Sequence, residues 1–134
     1  MKKFLVLIMF LINFPFISNA QEIIWFKATS LSYRYVNDYG YWTNWSDWEK
    51  CDVRIKFELT DDVIVIYSNK NQFYKVISLV DPPYDSNGKT IKYRILDGDG
   101  DYGFIRLRIE NNGNSQIYVD FNNVSWVYNV VRFN

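Results

Sequence analysis

Apolar and polar residues alternate along most of the chain beyond residue 50. In Val53-Arg54-Ile55-Lys56-Phe57-Glu58-Leu59 every odd position is apolar and every even one is charged. A strand with one buried and one wet face requires that period of two. The pattern returns at Ile91-Lys92-Tyr93-Arg94-Ile95, at Ile105-Arg106-Leu107-Arg108-Ile109-Glu110 and at Ile117-Tyr118-Val119-Asp120-Phe121. Between these runs lie Thr60-Asp61-Asp62, Asn69-Lys70-Asn71, Asn111-Asn112-Gly113-Asn114 and Asn122-Asn123. Asn and Gly accept the positive φ of tight hairpins. The spacing predicts eight strands, near 24–35, 51–60, 63–68, 72–80, 90–96, 103–110, 115–121 and 124–133.

The first of these strands changes phase. Ile24, Phe26 and Ala28 share one parity, whereas Leu31, Tyr33 and Tyr35 share the other. A bulge near Thr29-Ser30 would bring all six to one side. Short links favour neighbouring antiparallel strands, hence a meander. The expected fold is therefore all-β, an eight-stranded antiparallel meander closed into a β-barrel, with a β-sandwich as the alternative. Closure is preferred because it removes exposed edges. The third, fourth and eighth strands are apolar on both faces, at Val63–Tyr67, Tyr74–Val80 and Trp126–Val131. Their second faces need cover from another part of the chain or from a partner.

The start of the chain departs from this pattern. Lys2 and Lys3 precede an apolar run that ends at Ser18-Asn19-Ala20. This reads as a signal peptide over 1–20, leaving a single β domain at 21–134 and an exported protein, periplasmic or secreted. The 134 residues include 26 aromatics, no His and one Cys. Triads built on His, His-ligated metals and internal disulfides are excluded. Residues 21–134 carry thirteen basic and fifteen acidic side chains, a net charge of −2. That balance argues against nucleic acid as a partner. It gives no polybasic stripe for a membrane, and no span is expected after the leader. A membrane barrel would also need apolar residues outside and strands of 9–11 residues.

The densest chemistry is Tyr39-Gly40-Tyr41-Trp42-Thr43-Asn44-Trp45-Ser46-Asp47-Trp48. Trp42, Trp45 and Trp48 are three apart and would stack on one face of a short 3₁₀ turn. They either cover the barrel or form a platform for a sugar ring or other flat ligand, with Tyr39, Tyr41, Asn44 and Asp47 beside them. Asp97-Gly98-Asp99-Gly100-Asp101 begins like a calcium loop. Tyr102 and Arg108 stand where an EF-hand needs Gly and Glu, which leaves a looser calcium site or an acidic hairpin turn. The link Asp81-Pro82-Pro83-Tyr84-Asp85-Ser86-Asn87-Gly88-Lys89 reads as a surface loop that presents Tyr84. Cys51 is in register with Val53, Ile55 and Phe57 and reads as a small core residue. No acid pair has the spacing of a glycosidase site. The chain is read as non-enzymatic, without cofactor or metal.

The strand plan, with Trp25 early in the first strand and Arg132 near the end, resembles the lipocalin-like (calycin) barrels. That family carries such a Trp with an Arg packed over it. Its Gly two residues before the Trp is Ile23 here, and no C-terminal helix fits. The resemblance implies a binding protein. Three roles follow from the residues. An aromatic surface binds a glycan or protein partner. A cavity lined by Tyr33, Tyr35, Phe57, Tyr93 and the Trp42–Trp48 segment carries a small apolar ligand. Or the two-faced strands make the chain a subunit of an exported assembly, which leaves oligomerisation open. A filled barrel with exposed Trp42 and Trp45 is the sign that favours the first role.

Overall fold

The structure, a computed structural model, describes residues 23–80, 84–85 and 88–133. The expected leader at 1–20 and the expected exposure of Tyr84 lie outside the described residues. The strands are β1 (Ile23–Tyr35), β2 (Glu49–Glu58), β3 (Val63–Tyr67), β4 (Gln72–Val80), β5 (Tyr84–Asp85), β6 (Gly88–Leu96), β7 (Tyr102–Glu110), β8 (Ser115–Asp120) and β9 (Val124–Arg132). Eight of them correspond to the eight expected runs. The two-residue β5 is an addition, paired with Gly88 and Lys89 at the start of β6. A 3₁₀ turn at Leu59–Asp61, followed by Asp62 with φ 56°, links β2 to β3 where a plain hairpin was expected.

Every sheet pairing is antiparallel, and each strand from β1 to β4 lies beside the next. β6 to β9 continue in the same way. β4 joins β6 and β9 joins β1, so the sheet closes into an eight-stranded meander barrel. The register of β1 shifts between Ala28 and Ser30, at the expected bulge. Beyond it Leu31 stands opposite Tyr128 and Tyr33 opposite Trp126. The extra residue thus returns Leu31, Tyr33 and Tyr35 to the side of Phe26 and Ala28.

The barrel interior is packed with side chains. Ile55, Ile64, Ile66, Ile95, Ile105 and Ile117 are wholly buried. Phe57 meets Phe26 and Tyr93 edge to face at 5.5 and 5.8 Å. An eight-stranded barrel is just wide enough for side chains to fill, and bulky branched and aromatic residues fill it.

The outer wall pairs cations with rings. The Lys92 ammonium lies 4.2 Å from the Phe104 ring, the Arg94 guanidinium 4.8 Å from Tyr102, and Arg106 4.1 Å from Tyr118. Trp25 stacks on Tyr67, with the Lys56 ammonium 5.6 Å from its ring. Apolar inside and charged outside is the reverse of a bilayer-spanning barrel. No helix among the described residues is long and apolar enough to cross a membrane. The second faces of the two-sided strands fare differently. Val65 and Val127 are buried on the outer wall, while Phe73 of β4 remains exposed there; Ile77, at the register shift between Val76 and Ser78, and Leu79, opposite Tyr93 beyond it, are exposed as well.

Candidate binding surface

The Trp-rich segment is the irregular return arm of the β1–β2 hairpin. At its tip the Asn37 side-chain oxygen accepts the Tyr39 and Tyr41 N–H groups at 2.9 and 3.1 Å. Gly40 takes φ 82°, a value that a side chain would strain. The chain then runs back beside β1. Thr43 N–H donates to the Tyr35 carbonyl at 2.8 Å, and Ser46 N–H to the Tyr33 carbonyl at 2.7 Å. Hydroxyls complete the ladder where the backbone drifts out of register. Tyr35 N–H donates to Thr43 Oγ1, Tyr33 N–H to Ser46 Oγ, and the buried Ser32 Oγ–H to the Ser46 carbonyl at 2.6 Å.

This ladder replaces the 3₁₀ turn expected for Trp42, Trp45 and Trp48. The three indoles still gather on the outer wall, but strand pairing places them there. The Arg34 guanidinium lies 4.7 Å from the centre of Trp42 and 4.7 Å from that of Trp45. Trp45 reaches over β9 to meet Tyr118 of β8 edge to face at 6.2 Å. Trp45 and Trp48 overhang a crevice of about 220 Å³ whose walls include Ser32, Tyr118 and Val127. Contact with these residues leaves Trp45 37% exposed and Trp42 41%, while Trp48 is 49% exposed. Tyr39 and Tyr41 stand almost free, and Asn44 and Asp47 are exposed in the same arm.

Two further expectations are relocated. The cavity residues do not meet around a void: Phe57 and Tyr93 pack against each other, and Tyr33 and Tyr35 sit exposed near the barrel rim. A half-open concavity of about 650 Å³ lies instead at the barrel mouth, walled by Tyr74, Phe121, Trp126, Asp97 and Asp101 among others. Phe121 stacks on Trp126 at 6.0 Å. Burial pushes the Tyr74 hydroxyl above the ordinary tyrosine range, with smaller contributions from Tyr128 and Asp97. The acidic loop is a hairpin turn. The Asp97 carboxylate accepts the Asp99 and Asp101 N–H groups at 2.9 and 2.8 Å. Asp97, Asp99 and Asp101 do not converge as a metal-ligand cluster, and none is found among the described residues. Cys51 packs half-buried against the core, where burial and then Asp52 raise its thiol.

No family model, curated protein or solved structure matches the chain. The lipocalin-like resemblance rests on the strand plan, Trp25 and Arg132. Trp25 lies on the outer wall, against Tyr67 and Phe133.

Periodicity alone does not single out Arg34 or Tyr118. Each looks like an ordinary outward residue of an alternating strand. Their partners lie in an arm whose register is not legible from periodicity. The adjoining Trp-rich segment was the available signal, because an arginine within a hairpin's reach of paired indoles is a candidate for stacking.

Proposed function

We propose that the chain is an exported, non-enzymatic binding module that uses the outer face around Trp42, Trp45 and Trp48 to hold a glycan. One observation carries this reading: large indoles stand partly exposed on the wall of a barrel whose interior is already full. A packed interior favours the outer surface as the place for recognition. The Arg34 guanidinium holds two of the indoles in place, so little ordering remains for a ligand to impose. Indole faces match the C–H faces of pyranose rings, and Asn44, Asp47 and the 220 Å³ crevice offer hydroxyl-sized polar contacts beside them. A protein partner would use the same aromatic anchors.

A glycan array probed with the mature protein and with Trp45→Ala tests the reading. The variant should keep its fold by circular dichroism and lose binding about tenfold, which corresponds to roughly 1.4 kcal/mol. A variant that unfolds without ligand would assign Trp45 to structural cover. Intact mass of the exported protein should begin at Gln21.

The mouth concavity favours a second reading, carriage of a small apolar ligand. Native mass spectrometry showing retained extra mass would support it.

A further inference from the structure

We infer that the glycan recognised by this face is acidic, and that Arg34 is the residue that reads its negative charge. This rests on the glycan reading above and narrows its ligand class.

Arg34 is an unpaired cation in an unusual setting. Within the described residues its guanidinium makes no ion pair and no hydrogen bond. Asp120, on the same wall, is already committed: it accepts Arg106 Nε at 2.5 Å and Ser125 Oγ–H at 2.5 Å. Asp47, in the same arm, brings no carboxylate within ion-pair distance of Arg34. Arg34 Nε is fully buried without a hydrogen-bond partner, whereas its terminal nitrogens are not fully buried. The guanidinium lies 4.7 Å from the centre of each of Trp42 and Trp45 and so bridges the two indoles.

The chemistry of that arrangement is specific. Stacking engages the flat face of a guanidinium and leaves its in-plane N–H groups directed outward in a fork. Such a fork matches a carboxylate or sulfate with two parallel hydrogen bonds. Partial desolvation between the indoles strengthens the attraction for an incoming anion. Arg106, 4.1 Å from the Tyr118 ring that touches Trp45, adds positive charge on the same side, largely neutralised by Asp120. An acidic sugar joins both requirements in one residue: a ring face for an indole and an anionic group for Arg34.

The shared chemistry is a sugar-borne anion, and its two sources are uronate carboxylates and sulfate esters. Affinity electrophoresis or calorimetry would compare polygalacturonate with its methyl ester, and dextran sulfate with dextran. Each pair keeps the sugar and removes the charge. Wild type should bind at least one acidic polymer at least tenfold more tightly than its neutral counterpart. Arg34→Gln should abolish that preference, and Arg34→Lys should restore part of it. A thermal melt of each variant separates lost recognition from lost folding. If Arg34→Gln does not fold, the salt dependence of wild-type binding and the result for Arg34→Lys still decide. Equal binding to acidic and neutral partners would overturn the inference and leave the glycan platform standing. Binding to neither acidic polymer overturns it as well. Tighter binding to single-stranded DNA than to either acidic polymer would overturn it in favour of a general polyanion surface. Absence of all glycans from the bound set would remove the platform reading itself.

Discussion

Phe57 of β2 and Tyr93 of β6 meet edge to face at 5.8 Å, although two strands separate them in the sheet. The contact spans the barrel interior. It ties opposite walls together through the space that a carrier would leave for its ligand. Phe57→Ala should therefore lower stability by about 3–5 kcal/mol, since it removes a buried ring and leaves a cavity. Urea denaturation measures the loss. A change within a few tenths of a kcal/mol would mean that the interior is not packed in this way.

Gly103 supports the mouth through what it lacks. A Cβ there would lie 2.6 Å from the Asp120 carbonyl oxygen and 2.8 Å from the Phe121 ring. Gly103→Ala must push aside the ring that stacks on Trp126. A destabilisation of about 1–3 kcal/mol is expected, together with a changed near-ultraviolet spectrum. An unaltered melting temperature and spectrum would contradict the close approach.

Ser32 pins the Trp-rich arm to the barrel through its 2.6 Å hydrogen bond to the Ser46 carbonyl. Ser32→Ala leaves that carbonyl without its buried donor and should cost about 1–3 kcal/mol. The local signature is faster amide exchange at Ser46 and Tyr33, whose N–H groups close the same ladder. Exchange that stays as slow as in the wild type would show that the arm is held by other contacts.

Tyr74, Tyr93 and Tyr128 are shifted above the ordinary tyrosine value of 10.0, with burial as the leading cause in each. A raised folded-state value means that these groups favour the native state while protonated. Their contribution is fully present below pH 10 and is lost as pH rises through the folded-state values. Titration followed at 295 nm should show three tyrosines ionising late, in step with alkaline unfolding. Ionisation of all tyrosines in one step near pH 10 with the fold intact would contradict their burial.

Much of this architecture was legible in the sequence, because alternation is a local property. Val53 to Leu59 declares one wet and one dry face whatever its neighbours do, and the opposed parities of Phe26 and Tyr33 require a bulge between them. Length, turn residues and the cost of open edges then favour a closed meander. The Trp-rich segment stood out by composition alone. Its conformation did not, since spacing by three suits a 3₁₀ turn, whereas hydroxyls of Ser32, Thr43 and Ser46 hold it as a frayed strand. Tertiary structure decided which faces became neighbours. Closure brought Tyr118 beneath Trp45 from far along the chain, and hairpin register set Arg34 against Trp42 and Trp45. Periodicity assigns a side chain to a face, but it carries no information on what lies across from it. That depends on register and closure, which are set by the packing of the whole barrel at once.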